Sequence, residues 1–490
     1  MTGTGAALNA ERRRIEIARS AEETVDVLVI GGGVTGAGVA LDAAARGLRV
    51  TLVESEDLAF GTSRFSSKLV HGGLRYLATG DVATARESAI ERHHLMTTIA
   101  PHLIHPLAQV LPFSPGVSIR QRTAGAVGMA IGDLLRVHAR TRRSVLPGPH
   151  PVSSRTVLGL APAVTPQGLR GGMLSYDGQL VDDARLVVSV ARTAAALGAR
   201  ILTRVRALSL HADGAAVADA ITGERWDIRA RGVVNATGVW AGSLDRTITV
   251  RPSRGTHIVL DAADLGDPRA ALTIPLEGSI SRYIFALPQQ LGRVIVGITD
   301  EDAPGPIPRV AAPTEDEIGF LLANLNRVLA APIRREQVRG AFAGLRPLVD
   351  SGAASTADVS RRHLVATSEA GFVTVLGGKL TTYRRMAEDA VDHIVTGRGI
   401  SAPASTTTTL PLVRDGDVVG RSRRADGSTF VADGIPVTRA AVEFAVREEL
   451  ALTAEDVLDR RTRIGLVPAD RERATPIVEE IVAETLDGLR

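Results

Sequence analysis

Short apolar runs alternate with amphipathic segments along much of the chain, which predicts a mixed α/β protein. The first run, Val25–Ile30, is continuous and rich in β-branched residues, as expected of a strand buried on both faces of a parallel sheet. A helical pattern covers residues 34–46, and a second apolar run covers residues 48–53. The order strand, helix, strand predicts a βαβ unit near the start of the chain.

A Gly-x-Gly-x-x-Gly turn links the first strand to the helix. The first glycine permits the tight turn, the second lets the backbone approach a pyrophosphate, and the third lets the helix pack closely on the sheet. An acid follows the second strand, close to the spacing at which a carboxylate binds an adenosine ribose. These features predict a Rossmann-type domain that binds a dinucleotide. The residues predicted to face it are Gly31, Gly33, Val34, Thr35, Gly36 and Glu54.

The amino-acid composition limits the partners and the kinds of reaction that the chain can have. The chain has 490 residues, enough for two or three domains, and its 57 basic residues nearly balance 54 acidic ones, so charge does not indicate a nucleic-acid-binding protein. Without cysteine there is no thiolate metal site and no dithiol pair, so redox chemistry requires a bound cofactor. The adjacent His93 and His94 are not spaced as metal ligands, and we predict no metal site. The two lysines of the chain, Lys68 and Lys379, both lie in motif-like loops.

Three polar, glycine-containing segments resemble the FAD-dependent sn-glycerol-3-phosphate dehydrogenases, which belong to the wider group of amino-acid-oxidase-like flavoproteins. The most specific is Ser66-Ser67-Lys68-Leu69-Val70-His71-Gly72-Gly73-Leu74-Arg75-Tyr76-Leu77, which follows Gly61-Thr62-Ser63. The others are Ala343-Gly344-Leu345-Arg346-Pro347-Leu348 and Gly377-Gly378-Lys379-Leu380-Thr381-Thr382-Tyr383. The resemblance covers nearly the whole chain after Thr24. One departure is Ile298, where the family usually has threonine, so a hydroxyl role cannot be carried over to this position.

The resemblance implies a Rossmann-type FAD-binding domain interleaved with an antiparallel β substrate (cap) domain, and a small all-α C-terminal domain. We predict a polar N-terminal tail over residues 1–24. The FAD-binding domain is predicted over 25–110, 175–246 and 340–402, the substrate domain over 111–174 and 247–339, and the helical domain over 410–490. Residues 81–143 have a helical pattern. Thr475 and Pro476 predict the start of the last helix.

The resemblance also implies site residues. Further FAD contacts are expected at Thr62, Ser63, Ser67, Lys68, Leu69, Val205, Ala236, Thr237, Gly238, Gly378, Leu380 and Thr381. Substrate contacts are expected at Arg75, Tyr76, Arg361 and Thr382, and catalytic roles at His71, Arg346 and Lys379. Arginine suits a phosphate, and histidine has a pKa suited to accepting a hydroxyl proton. Which residue is the general base stays open, since Lys379 can polarise the reacting oxygen or pair with the flavin.

The expected activity is oxidation of sn-glycerol 3-phosphate to dihydroxyacetone phosphate by hydride transfer to FAD, with electrons passed to a membrane quinone. A glycerol-3-phosphate oxidase that uses oxygen is the near alternative. An amino-acid or amine oxidase would need a carboxylate-binding arginine and no phosphate site. A non-catalytic membrane flavoprotein would not need the predicted substrate residues.

The sequence also bears on location. The N-terminus has no apolar core of a secretory signal, and no apolar segment reaches the length of a membrane span. Residues 123–135 are apolar and lead into a cluster of arginines, which favours either contact with an anionic membrane surface or a solvated surface helix. We expect a cytoplasmic protein, peripherally associated with the inner face of the cell membrane. A homodimer is compatible with the sequence.

Overall fold

The computed structural model describes residues 5–73, 81–349, 362–414 and 430–489. The helices are α1 Ala10–Glu22, α2 Val34–Ala45, α3 Val82–His94, α4 Ile119–His138, α5 Ser154–Leu160, α6 Asp183–Ala196, α7 Ala241–Leu244, α8 Glu315–Asn326, α9 Tyr383–Gly397, α10 Arg439–Glu448, α11 Ala454–Asp456 and α12 Pro468–Asp487. The strands of the first half are β1 Val25–Ile30, β2 Val50–Glu54, β3 Leu69–Val70, β4 Ile104–Pro112, β5 His150–Val152, β6 Gly172–Leu180, β7 Arg200–Thr203, β8 Val205–His211, β9 Gly214–Asp219 and β10 Arg225–Asn235. Those of the second half are β11 Val250–Asp261, β12 Ala271–Pro275, β13 Tyr283–Gln289, β14 Arg293–Gly297, β15 Glu301–Asp302, β16 Gly340–Val349, β17 His363–Thr367, β18 Val373–Gly377, β19 Phe430–Ala432 and β20 Ile435–Thr438.

The first sheet has the order β17-β18-β10-β1-β2-β7, with β8 and β9 attached beside β10. Strand β1 is central and pairs in parallel with both β10 and β2. Every residue of β1 is buried, which explains why its sequence is apolar except for Asp26. Helices α2, α6 and α9 pack together on this sheet. The predicted Rossmann-type unit and the α/β fold class are thus confirmed.

The second sheet is mostly antiparallel and has the order β15-β11-β14-β13-β12-β4-β6-β3. Strand β16 is added through a long antiparallel pairing with β11, and β5 pairs with β6. Helix α8 and part of α4 cover a separate apolar core on this sheet. This is the interleaved antiparallel β domain that the resemblance implies.

Sheet membership differs from the predicted boundaries. Strands β4 and β6 pair over their whole lengths in the second sheet, as does β16 with β11, although parts of all three fell in the predicted FAD-binding ranges. Strand β4 also interrupts residues 81–143, which the sequence pattern assigned to helix. The pattern misled because β4 is partly exposed and its apolar residues do not alternate regularly.

The N-terminal tail is largely a helix, which corrects the prediction for residues 1–24. Helix α1 begins at the cap Asn9, whose side chain accepts from the Arg12 amide. On its inner face Arg13 forms a buried ion pair with Asp219 at 2.9 Å, and it also donates to the carbonyl of Thr203. Because these contacts are made by polar side chains, an apolar pattern could not reveal that α1 packs on the first sheet.

The C-terminal domain combines α10, α11 and α12 with a hairpin of β19 and β20 around its own apolar core. The hairpin, unlike the helices, was not predicted, although Asp433-Gly434 is a typical hairpin turn and Gly434 has a φ of 74°. The last helix begins at Pro468, not at Pro476, which lies inside it. Thr475 therefore does not cap a helix; its hydroxyl donates to the carbonyl of Arg471 one turn earlier.

Candidate active site

A cavity of about 990 Å³ lies between the two sheets. On one side it is bounded by the carboxyl ends of β1, β2, β10 and β18, which is where ligands bind in open parallel sheets. On the other side it is bounded by residues of β4, β6, β12, β13 and β16 from the second sheet. We call the part on the first sheet the nucleotide half and the part on the second sheet the substrate half, after the ligands expected from the sequence.

The glycine turn shapes the nucleotide half by close backbone contacts. Gly31 has a φ of 110°, and a Cβ there would lie 2.6 Å from the carbonyl oxygen of Ala236. A Cβ on Gly36 would lie 1.9 Å from the carbonyl oxygen of Gly31, so helix α2 can approach the strand only with glycine at this position. The amide of Val34 donates to Ser63 Oγ at 2.9 Å, which fixes the loop after β2 against the start of α2.

Glu54 ends β2 and lines the same half of the cavity. Its carboxylate accepts from the amides of Gly32 at 2.6 Å and Glu56 at 2.8 Å. Burial raises the pKa of Glu54, while these two amide hydrogen bonds oppose the rise. The backbone thus holds an acceptor group at the place where a ribose hydroxyl can donate to it.

The residues predicted to face the dinucleotide are brought together with few exceptions. Those that line the cavity are Gly31, Gly33, Val34, Thr35, Glu54, Thr62, Ser63, Ser67, Leu69, Val205, Ala236, Thr237, Gly238, Gly378, Leu380 and Thr381. Gly36 acts one layer behind, through the close approach to Gly31.

In the substrate half, Arg346 projects from β16 and its guanidinium is held by three acceptors. It donates to Ser253 Oγ at 3.0 Å, to Asp300 Oδ1 at 3.1 Å and to the carbonyl of Thr299 at 3.0 Å. These contacts come from β11 and from the segment after β14. They fix the cation at the cavity wall, where it can meet an anionic group of a ligand.

His71 and Lys379 line the same cavity from other segments. His71 follows β3, and the next amide, that of Gly72, donates to Asp177 of β6 at 3.3 Å. Lys379 follows β18, and its ammonium donates to the hydroxyl of Ser88 in α3. The three residues predicted to be catalytic therefore share one cavity, although they lie far apart in the sequence.

Two predicted residues point away from the cavity. The Lys68 side chain is 2% exposed and its ammonium lies 2.8 Å from Asp183 Oδ1. The ammonium is thus paired away from the cavity in which an FAD contact was expected, because a buried charge needs a counter-ion to offset its desolvation. Thr382 is buried as well, and its hydroxyl donates to the carbonyl of Lys379 at 3.3 Å. Arg75, Tyr76 and Arg361 lie outside the described residues.

The sequence reading missed polar groups that support the substrate half. Asp300 and Ser253 orient Arg346, and His257 lies behind the cavity with Nε2 2.9 Å from Ser67 Oγ. Burial and the charges of Lys68 and Arg346 lower the pKa of His257 to about 3, so its imidazole is neutral at ordinary pH. A signal was available, since His257 directly precedes the apolar run Ile258–Leu260 of β11.

The cavity combines a guanidinium, an imidazole and an ammonium beside the glycine turn. Arg346 can bind an anionic group, His71 can accept a proton from a hydroxyl, and Lys379 can stabilise negative charge on oxygen. A flavin bound along the glycine turn would supply the hydride acceptor. The close backbone approach at Gly31 and Gly36, and the fixed carboxylate of Glu54, fit the adenosine and pyrophosphate of FAD.

Comparisons with known proteins agree with this geometry. The family model described as FAD dependent oxidoreductase matches residues 26–384, and the model of the C-terminal domain of alpha-glycerophosphate oxidase matches residues 417–487. Glycerol-3-phosphate dehydrogenase 1 from Mycobacterium tuberculosis is 49% identical over an alignment that covers 98% of this chain and 99% of that protein.

Two solved structures have the same architecture. The glycerol-3-phosphate dehydrogenase from Bacillus halodurans complexed with FAD is 26% identical, with a TM-score of 0.71 and coverage of 98% of this chain and 97% of that one. The L-alpha-glycerophosphate oxidase from Mycoplasma pneumoniae, with FAD bound, is 17% identical, covers 80% of this chain and 100% of that one, and has a TM-score of 0.60, so its likeness concerns the fold alone. The family, the α/β fold and the cofactor predicted from the sequence are confirmed: the chain belongs to the FAD-dependent oxidoreductases and, within them, to the glycerol-3-phosphate dehydrogenase family.

Proposed function

We propose that the protein oxidises sn-glycerol 3-phosphate to dihydroxyacetone phosphate and passes the electrons to a membrane quinone. The observation that carries this proposal is the placement of Arg346, His71 and Lys379 on one cavity that continues into the glycine turn. The name of the Mycobacterium tuberculosis relative supports the substrate.

Each residue has a proposed role in that reaction. Arg346 binds the phosphate, with Arg75 and Arg361 as further cations and Tyr76 as a hydrogen-bonding contact. His71 accepts the proton of the secondary hydroxyl while the hydride on the same carbon leaves toward the flavin, and Lys379 stabilises the oxygen as it becomes a carbonyl. Atoms and charge balance, because the alcohol loses one proton and one hydride to give the ketone.

The test is anaerobic reduction of the purified yellow protein by sn-glycerol 3-phosphate, followed by flavin absorbance. We expect bleaching and formation of dihydroxyacetone phosphate, and no bleaching by glycine or another amino acid. Reoxidation by a short-chain quinone, with little reoxidation by oxygen, supports the quinone as acceptor. Rapid reoxidation by oxygen alone would instead assign an oxidase, and absence of bleaching would overturn the substrate.

Helix α4 supports a peripheral membrane contact that would bring a quinone to this cavity. Its inner face lines the cavity with small residues and Met129, and its outer face carries exposed apolar side chains, of which Leu134 is 66% exposed. The outward apolar residues are Ile119, Val127, Ile131, Leu134 and Val137. No helix in the described part of the chain has the length and apolar character needed to cross a membrane.

Arginines near the end of α4 support contact with an anionic surface, with one exception. Arg140, Arg142 and Arg143 are exposed. Arg136, by contrast, is buried and donates to Asp133 at 3.1 Å, so it belongs to the fold and not to the proposed surface. An apolar helix face flanked by arginines is typical of proteins that bind anionic lipid interfaces.

Vesicle sedimentation tests the membrane contact. We expect binding to phosphatidylglycerol vesicles, weaker binding to phosphatidylcholine vesicles, and a loss of about tenfold or more for Leu134→Glu, because burial of one leucine is worth roughly 1.5–3 kcal/mol. The matched control is Ile221→Glu, which alters an exposed apolar residue far along the chain from α4. Equal binding by both variants would contradict the proposed surface.

A further inference from the structure

A buried group of four charges lies behind the loop that carries Ser66 and Ser67. This charge quartet consists of Lys68, Asp182, Asp183 and Arg463. The Lys68 ammonium lies 2.8 Å from Asp183 Oδ1 and 3.7 Å from Asp182 Oδ2, and Arg463 Nε lies 3.0 Å from Asp182 Oδ2. Two cations thus share two carboxylates, and all four side chains are almost fully buried.

The quartet is anchored on helix α6 and is linked by hydrogen bonds to the loop of residues 66–68. Asp182 caps α6 by accepting from the Arg185 amide at 3.0 Å. Asp183 Oδ2 accepts from both the amide and the hydroxyl of Ser66, at 2.9 and 2.8 Å. The Lys68 amide in turn donates to Ser66 Oγ at 2.9 Å. The acid pair therefore fixes the backbone and the side chains of residues 66–68 together.

The loop of residues 66–68 faces the cavity. Ser66 and Ser67 line the cavity, and Ser67 Oγ lies 2.9 Å from Nε2 of the neutral His257. His257 is stacked on Phe342, with ring centroids 4.8 Å apart, so the imidazole is also held from the second sheet. A shift of residues 66–68 would therefore change the cavity wall and break the contact with His257.

Arg463 brings the C-terminal domain into this arrangement. It is a non-glycine residue with a φ of 65°, and Lys68 likewise has a φ of 56°, so both backbones adopt the rarely populated left-handed conformation to reach the acid pair. Arg463 Nη2 also donates to the carbonyl of Arg64 at 2.5 Å, in the segment that leads into the loop. Through Arg463 the C-terminal domain thus hydrogen-bonds to the segment before the loop and pairs with Asp182 at the N-cap of helix α6.

The charges of the quartet balance only when all four members are present. Burial acts to raise the pKa of Asp183, yet the positive charges of Lys68 and Arg463 hold it at about 2. Removal of Arg463 leaves Asp182 with Lys68 as its nearest described cation, 3.7 Å away. Lys68 is then drawn between two carboxylates, and the loop that it belongs to must move with it.

We propose that Arg463 and Lys68 are positioning residues, which hold the Ser66–Ser67 wall of the cavity in its productive place by sharing the Asp182–Asp183 pair. The C-terminal domain then supports catalysis without touching the substrate. This inference rests on the oxidation proposed above at the same cavity.

The test compares two buried arginines of the C-terminal domain. Arg461 is the matched control, because it is equally buried but pairs with Asp57, at 2.9 Å, and not with the acids that hold the loop. We expect Arg463→Met to slow anaerobic flavin reduction at saturating sn-glycerol 3-phosphate about 10- to 100-fold, as misplaced catalytic geometry does. FAD content stays unchanged. Arg461→Met lowers the melting temperature to a similar extent but leaves the reduction rate within about twofold of wild type.

Two further variants keep the proposal falsifiable. Lys68→Met slows reduction like Arg463→Met, and the double variant is no slower than either single one, because both act through the same acid pair. Arg463→Lys restores most of the rate by restoring the charge. If Arg463→Met does not fold, Arg463→Gln is measured with the same expected result.

The outcomes that overturn the proposal are distinct. An unchanged reduction rate in Arg463→Met, with a lowered melting temperature, would make the quartet purely structural. An equal loss of rate in Arg461→Met would assign the effect to the whole domain interface. A wild-type flavin that sn-glycerol 3-phosphate does not reduce would overturn the proposed function first and this inference with it, whereas the first two results overturn the inference alone.

Discussion

The two halves of the cavity are built in different ways. The nucleotide half is made mainly of backbone: a glycine turn, the start of α2, and Glu54, whose carboxylate is held by two amides. The substrate half is made of side chains, and two of them are held by side chains from other segments: Arg346 by Asp300, and Lys379 by Ser88. The nucleotide half depends on close approach of backbone segments. The substrate half depends on ion pairs and hydrogen bonds between residues that lie far apart in the sequence.

This difference predicts how each half fails. A binding site made of backbone is sensitive to added volume, since a single Cβ has no room. When such a site is distorted, the cofactor is lost altogether. A cage of side chains loses one interaction at a time, so its substitutions affect substrate binding and rate while FAD stays bound. The following variants separate the two behaviours, from the largest expected effect to the smallest.

Gly36→Ala is expected to abolish FAD binding. The added Cβ would lie 1.9 Å from the carbonyl oxygen of Gly31, a backbone atom that cannot rotate away, so the turn must open. The measurement is flavin absorbance per mole of purified protein. Gly159→Ala in α5 is the control, since a Cβ there meets nothing within 4 Å. Full flavin content in Gly36→Ala would show that the close approach is not needed.

Arg346→Ala is expected to raise the KM for sn-glycerol 3-phosphate about 10- to 100-fold, which corresponds to the roughly 1.5–3 kcal/mol of a hydrogen bond to a charged group. FAD stays bound, because the nucleotide half is untouched. Steady-state kinetics and flavin content check both statements. The control Arg335→Ala removes an exposed arginine that pairs with Glu315 on the surface of the same domain. An unchanged KM in Arg346→Ala would refute the phosphate role.

The buried His257 is expected to make stability fall as the solution becomes acidic. Its pKa is lowered to about 3 in the folded protein, so between the unfolded pKa near 6.5 and about pH 3 the unfolded chain binds a proton that the folded chain does not. Melting temperature should therefore decline as pH falls from 7 to 5, and His257→Gln should flatten that decline. The control is the exposed His150→Gln. Parallel curves for wild type and His257→Gln would contradict the assignment.

Ile298→Thr is expected to have the smallest effect, a change of KM within about threefold. Ile298 lines the cavity, and the substitution restores the hydroxyl usual in the family. Because Arg346 is already oriented by Asp300 and Ser253, a further hydroxyl adds little to the fixed cation. Steady-state kinetics of the variant check this, and a large gain in kcat/KM would show that the departure from the family pattern is functionally costly.

The same contrast explains what the sequence could predict. Strand β1, the glycine turn and Glu54 lie within 30 residues, so their local spacing is enough to recognise them. The resemblance gave His71, Arg346 and Lys379 as motif residues. Their partners could not be predicted, because nothing in the local sequence around Ser88 or Asp300 indicates its role. Lys68 shows how far a local motif can predict a contact. Its motif suggested a contact with FAD, yet pairing with the distant Asp183 decides where its charge lies.

The boundaries of the domains failed for a related reason. A strand's sequence reports its own burial and not its partner, so β4, β6 and β16 could not be assigned to the second sheet before the pairing was known. Helix α1 was missed because much of its attachment to the first sheet is polar, through Arg13 and Asp219, with Ile17 adding an apolar contact.

The central pairing of the first sheet has a consequence for synthesis of the protein. Ile30 pairs with Asn235, and β10 then pairs with β18, which ends at Gly377. The oxygen of Ala236 that closes on Gly31 is therefore made long after the turn itself. At about 5–20 residues per second, the glycine turn leaves the ribosome on the order of 10–40 s before its partner strand. During that interval the cofactor site of the nascent chain is incomplete. Flavin binding is therefore one of the last events in the folding of the new chain.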